Sequence, residues 1–316
     1  MSRSAHSSHR GEWALFISAR LPHPHSLRVL LALLAGATLA TCRNDPARAG
    51  TLISVDDAGD TVALGAPARR IVSLIPAATE LLFAIGAGSL VVGRTQYCDY
   101  PEAVRAVPSL GDGIKPSIEA ILARQPELVV LYNSSQNAPV AGRLRDLGIA
   151  TFRINTDLLT DVPRVSRMLG RLTGRGRSAD SLIAAFDTAL AHATRSPGTR
   201  RPSVLLLVWE QPPMTVGRGS FLAELVERAG GANLFADVSA SSGVVSIEAV
   251  AARDPDLILT TAEGPSAFAT RPEWQVVRAV RERRFLQVSG SEFNRPSPRA
   301  PTAIRTLAAR LRAALQ

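Results

Sequence analysis

Residue types that could carry catalysis are scarce in this chain. Of its five histidines, four precede residue 26, and only His192 remains beyond. There is no G-x-S-x-G segment, no Walker-type phosphate loop and no C-x-x-C pair, so acyl-transfer, phosphoryl-transfer and dithiol chemistry all lack their usual parts. Ser73, Asp112 and Glu210 are of catalytic type, but nothing in their spacing supplies an activating partner. A zinc or manganese site needs clustered histidines and carboxylates, which the sequence does not offer. No catalytic residue, no resident metal and no enzyme activity are therefore expected. What remains is the chemistry of contact. Two glutamates, Glu119 and Glu248, recur in the same words, and Tyr97, Tyr132, Trp209, Phe293 and Arg295 stand near the ends of apolar runs.

The two glutamates belong to an internal repeat. Residues 117–131, SIEAILARQPELVVL, return as 246–260, SIEAVAARDPDLILT, with eight of fifteen positions identical at an offset of 129. Each copy reads as a short helix opening on Ser-Ile-Glu, a turn containing Pro, and a buried apolar strand. In the first turn of a helix either glutamate complements the dipole, worth roughly 0.3–1 kcal/mol. A period this long in only two copies excludes a solenoid or propeller and points to two related lobes. Two facing lobes make a cleft, where small ligands bind.

The elements around the repeat can be read from pattern. After a short β segment over 51–64, a strand over 70–75 runs through Pro76 into a helix over 77–85, closed by Gly86-Ala87-Gly88. A strand over 91–93 follows, and the alternation of strands and helices implies an α/β fold with a largely parallel sheet. From 161 to 195 strand signals vanish. A helix over 178–193 would be about 24 Å long, enough to link two lobes. The second half then restarts with a strand over 204–208, a loop over 209–219 and a helix over 221–229, and a helix over 301–315 ends the chain. The division that follows is an export segment at 1–49, a first lobe at 50–157, a linking helical segment at 158–197 and a second lobe at 198–316. In open α/β sheets, ligands meet the loops beyond the C-terminal ends of strands. That rule selects Pro76, Ala77, Tyr97, Tyr132, Asn133, Trp209 and Glu210, with Phe293 and Arg295 following a strand at 286–288.

A formal charge of +9 could suggest nucleic acid, but six arginines lie within 1–49, and 30 basic residues face 25 acidic ones beyond. The basic residues are scattered without a run, so no nucleic-acid partner is expected. Arg28 precedes a twelve-residue apolar run at 29–40, too short to cross a bilayer and suited to a signal-peptide core. Ala47-Arg48-Ala49 supplies an A-x-A cleavage site and places the mature start at Gly50. An alternative reading takes Leu39-Ala40-Thr41-Cys42 as a lipoprotein box with Cys42 lipidated, although Thr41 is unusual before such a cysteine. After cleavage at Ala49, Cys98 is the one remaining thiol, so no internal disulfide can form. It reads as a small buried hydrophobe or, alternatively, a ligand-facing thiol.

RIVSLIPAATELLFAIGAG at 70–88, CDYP at 98–101, both SIEA copies and RPSPR at 295–299 together resemble the periplasmic substrate-binding proteins of cobalamin-type and ferric-siderophore ABC importers. The match covers nearly everything from 69 to 315. CDYP, the Trp209-Glu210-Gln211-Pro212-Pro213 segment and FNRPSPR fall in the order of the cobalamin branch. The resemblance implies two Rossmann-like lobes joined by a long rigid backbone helix, a ligand cleft between them, limited closure and a monomeric protein exported to the periplasm. It further implies delivery of a small molecule to a permease with a cytoplasmic ATPase, with Glu119 and Glu248 docking onto permease arginines. Tyr132 and Trp209 match the family's aromatic contacts, one per lobe, and suit a corrin ring, a broad apolar disc fringed with amides. Arg295 could donate to an amide or phosphate oxygen, or sit in an ion pair. The cobalamin branch often carries an acid where this chain has Ser291, and the adjacent Glu292 is one residue out of step. A ferric siderophore or haem, held by arginines or a tyrosinate, is the alternative ligand. In each case cobalt or iron enters only within the ligand. A ligand-sensing or surface interaction module on the same fold is the reading from another class.

Overall fold

The computed structural model describes residues 51–194, 201–262 and 266–314. The segment expected to direct export, the expected cleavage site and Cys42 lie outside the described residues, as does most of the Pro- and Gly-rich stretch after the linking helix.

Short apolar runs bounded by Pro and Gly form the strands of two sheets. In the first half, β1 (Leu52–Val55) and β2 (Thr61–Leu64) make an antiparallel hairpin. The chain continues through β3 (Ile71–Ser73), α1 (Pro76–Ala84), β4 (Val91–Arg94), α2 (Ile118–Leu122), β5 (Leu128–Tyr132), α3 (Ala138–Asp146) and β6 (Ala150–Ile154). Its four strands pair in parallel in the order β4-β3-β5-β6. Two helices follow, α4 (Asp161–Leu172) and α5 (Gly176–Ala193). The second half holds β7 (Ser203–Glu210), β8 (Pro213–Val216), α6 (Phe221–Arg228), β9 (Ala232–Asn233), β10 (Ser242–Val244), α7 (Ile247–Arg253), β11 (Leu257–Thr260), α8 (Arg278–Arg281), β12 (Phe285–Gln287) and α9 (Ala300–Ala313). Its parallel strands run β9-β7-β11-β12, the same second-first-third-fourth order as the first sheet, and the antiparallel β8 and β10 extend it.

The repeat is the same unit in both halves. Ser117 and Ser246 cap α2 and α7, each accepting at 3.1 Å from the backbone N–H three residues on. The equivalent Gln125 and Asp254 both take left-handed backbone, at φ 48° and 44°, immediately before Pro126 and Pro255. Glu127 then accepts the Arg69 N–H at 2.6 Å, and its counterpart Asp256 accepts the Ser203 N–H at 3.0 Å. Each copy thus ends a helix, turns, and ties its new strand to the chain entering the first strand of its sheet.

Both faces of these strands are covered, which is why they read as unbroken apolar runs. Along β5, Leu128 and Val130 face one core while Val129 and Leu131 face another. Along β11, Leu257 and Leu259 join that first core, and Ile258 turns to a third. The shared core is continuous between the two sheets through α4, α5 and α9, with Val165, Leu169, Phe186, Ile304 and Leu307 among its members. At 18 residues, α5 is about 27 Å long. It starts earlier than its apolar spacing indicates, and α4 packs beside it. Gly170 permits the close approach, because a Cβ there would stand 2.6 Å from that of Ala179.

One local expectation is corrected. The segment 209–219 is not a loop: Trp209 and Glu210 end β7, and the chain returns at once as β8. A strand only four residues long that opens on Pro gives too short a pattern to stand out. The elements α3 and β6 carry no strong signal either, since two arginines interrupt α3 and Arg153 interrupts β6.

Candidate functional site: a groove at the strand ends

Three adjoining cavities open where the parallel strands end. The first, ≈ 430 Å³, brings Tyr132, Thr156 and Asp157 of the first half against Val208, Thr261 and Phe293 of the second. The next, ≈ 680 Å³, places Pro76, Ala77 and Tyr97 opposite Ser291, Asn294 and Arg295. The last, ≈ 560 Å³, lies in the second half alone, with Trp209, Glu210, Gln211, Ala262 and Arg271 on its walls. Thr156 and Asn294 border the first two, and Val208 and Thr261 border the first and last, so the three make one groove. Tyr132 ends β5, Trp209 and Glu210 end β7, and Thr260 ends β11. Strand termini therefore position these walls, as expected for an open α/β sheet.

Tyr132 donates its hydroxyl to Asp157 Oδ1 at 2.7 Å. Burial, and then this carboxylate, push the phenol pKa up, so the ring presents a neutral hydroxyl to the groove. Trp209 is 61% exposed, yet its indole is fixed by an N–H bond to the Gln211 carbonyl at 2.8 Å. The two aromatics line different cavities of the groove rather than facing walls of one. Phe293 is buried at the edge of the first cavity, and Glu210 accepts the Phe268 N–H at 3.2 Å. The wall around Ser220 depends on Gly217, where a Cβ would run into the carbonyl oxygens of Val238 and Ala240.

Arg295 lines the second cavity, but its charge is already engaged. Its Nη1 donates to the Tyr97 carbonyl at 2.9 Å and its Nη2 pairs with Asp99. Its Nε stands 2.8 Å from Glu80 Oε1, an ion-pair distance whose angle falls outside hydrogen-bond geometry. Arg299 grips the same Glu80 carboxylate with Nε and Nη2, at 2.9 and 2.7 Å, and donates to Glu292 and Ser291. Its guanidinium also lies 4.3 Å from the Tyr100 ring centroid. The FNRPSPR and CDYP segments thus meet around one buried acid of α1.

The Asn133 side chain donates to the Asp57 carbonyl at 3.1 Å, anchoring the β1–β2 hairpin, and it lines none of the three cavities. Cys98 is buried, with Sγ 3.2 and 3.3 Å from the Thr79 and Thr95 hydroxyls, and it too lines none of them. Sequence reasoning missed Thr156, Asp157, Asn294 and Arg271. The first two follow β6 directly, so recognising that strand would have found them. Glu119 and Glu248 are exposed and lie outside the groove's walls. Each is held below its ordinary pKa, first by its own backbone N–H and then by the capping serine. Among the described residues no group of three or more histidines, cysteines or carboxylates is placed to hold a metal, and no helix is long and apolar enough to cross a membrane.

The sequence profile of the periplasmic binding protein family matches residues 71–289. The chain is 29% identical over 298 residues to an uncharacterized ABC transporter substrate-binding lipoprotein of Bacillus subtilis, covering 87% of this chain and 93% of that one. It is 30% identical over 263 residues to a cobalamin-binding protein of Halobacterium salinarum, covering 78% and 70%. The solved apo structure of the periplasmic heme-binding protein RhuT from Roseiflexus superposes with a TM-score of 0.70 at 26% identity, covering 78% of this chain and 99% of that one. With two like sheets, a helical layer between them and a groove at the strand ends, the chain belongs to the periplasmic binding protein family, as a non-catalytic substrate-binding protein of the ABC-transporter class.

Proposed function

We propose that the protein captures a corrinoid of the cobalamin type outside the cytoplasm and delivers it to an ABC permease driven by a cytoplasmic ATPase. The observation that carries this reading is the chemistry of the groove: exposed aromatic faces at Tyr132 and Trp209, apolar Val208 and Phe293, and mainly neutral polar groups such as Thr156, Thr261 and Asn294. A corrin presents an apolar disc fringed with amides, which apolar and neutral polar walls match. Haem held by a Tyr132 tyrosinate would need that phenol ready to ionise, whereas its pKa is displaced upward. Haem or a siderophore held by an arginine pair would need free guanidiniums, and Arg295 and Arg299 are committed to Glu80. The likeness to the Halobacterium cobalamin-binding protein supports the same choice. The protein works as a monomer, with no resident cofactor and with cobalt entering only inside the ligand.

The test is calorimetric titration with hydroxocobalamin, haem and a ferric siderophore in parallel. One-to-one binding of the corrinoid is expected, weakened about tenfold or more, equivalent to about 1.4 kcal/mol, by Tyr132→Ala or Trp209→Ala. Haem binding without corrinoid binding would overturn the reading. The Bacillus relative is named a lipoprotein, which favours Cys42 as an anchor over cleavage after Ala49. The mass of the exported protein distinguishes the two.

A further inference from the structure

We propose that the cavity around Trp209 and Arg271 receives the nucleotide loop of a corrinoid, so that the protein distinguishes complete corrinoids from those lacking the loop. This inference rests on the corrinoid reading and adds a specificity-determining residue, Arg271. The cavity, ≈ 560 Å³, shares Val208 and Thr261 with the first cavity, so a ligand seated in the groove can extend one arm into it. The nucleotide loop of a corrinoid is such an arm, with a phosphodiester and a planar heteroaromatic base.

Each part of that arm has a counterpart on the wall. The Trp209 indole is exposed but pinned through its N–H to Gln211, which leaves a flat aromatic face oriented before any ligand arrives. Arg271 is half-buried and forms no ion pair with any described residue, whereas the other arginines of this half that stand near acids are occupied: Arg253 by Asp237, Arg278 by Asp254, and Arg284 by Glu282. Its backbone is anchored, with the N–H donating to the Phe268 carbonyl at 3.2 Å, and Phe268 packs in turn on Trp274. The acid of the same cavity, Glu210, is turned to the Phe268 N–H and forms no ion pair with Arg271. Of the guanidiniums on the groove's walls, Arg295 is ion-paired with Glu80 and Asp99, whereas Arg271 pairs with no described acid and is placed to meet an anionic oxygen. A planar fork donating to a phosphodiester is a strong, charge-assisted contact.

The experiment measures affinity for cobalamin and for cobinamide, the same corrin without the nucleotide loop, in the wild-type protein and in Arg271→Gln. Wild type is expected to prefer cobalamin by about tenfold or more, and Arg271→Gln to erase that preference while binding cobinamide as wild type does. Retained cobinamide binding also certifies that the variant is folded. Equal wild-type affinities, or a variant that weakens both ligands alike, would overturn the inference and leave the corrinoid reading standing. Failure of wild type to bind either corrinoid would overturn both.

Discussion

Glu80 lies on α1 with 2% of its surface exposed and faces guanidiniums that arrive from the other end of the chain. A carboxylate so placed is tolerated only because Arg295 and Arg299 neutralise it and occupy its oxygens. Burial alone would lower the Arg299 pKa, but the Glu80 hydrogen bond and charge more than offset it, and the net displacement is upward. Replacing Glu80 by Ala removes the carboxylate the two arginines share and leaves Arg295 with Asp99 and Arg299 with Glu292 as their remaining anionic partners. Destabilisation of about 3–5 kcal/mol is expected, read as a shift of the urea midpoint. A change below about 1 kcal/mol would mean that water already solvates this cluster.

At the scale of elements, the repeat makes a symmetrical prediction. Ser117 and Ser246 do the same work in α2 and α7, so Ser117→Ala and Ser246→Ala should each cost about 1 kcal/mol, and similar amounts, in chemical denaturation. The β1–β2 hairpin depends instead on charge. Asp60, at its turn, accepts from Arg153 and Arg145 at 2.8 Å each, and chiefly the Arg153 bond lowers its pKa from 3.8. Its folded pKa is depressed, so its contribution is present above the unfolded value and lost as pH falls through the lowered one. Amide exchange in β1 and β2, corrected for intrinsic rates, should therefore accelerate below about pH 4 before the central strands respond. Unchanged protection there would show that Asn133, with the Asp56 and Asp57 carboxylates that accept the Arg153 and Asn155 N–H groups, holds the hairpin without Asp60.

At the scale of the molecule, Glu119 and Glu248 are the exposed, ionised ends of two equivalent units, one from each sheet. Reversing both to Arg is expected to abolish transport into cells while ligand affinity stays as in wild type; a parallel loss of affinity would place them in ligand binding instead. The continuous core through α4, α5 and α9 ties the two halves side by side, which favours small movements on binding. Much of this was legible in the residues alone. Apolar runs covered on both faces announced the parallel strands, and a fifteen-residue repeat carried its cap, turn and latch wherever it occurred, because these contacts are local or follow from strand period. The strand-end rule likewise selects Tyr132, Trp209 and Arg295, which line the groove. What each does there was decided by tertiary structure. Asn133 stands one residue beyond Tyr132 yet serves the hairpin, Arg295 is claimed by Glu80, and Arg271 forms no ion pair with any described residue. A polar side chain's role depends on which partner lies within about 3 Å. For residues far apart in the chain, folding alone brings that partner near.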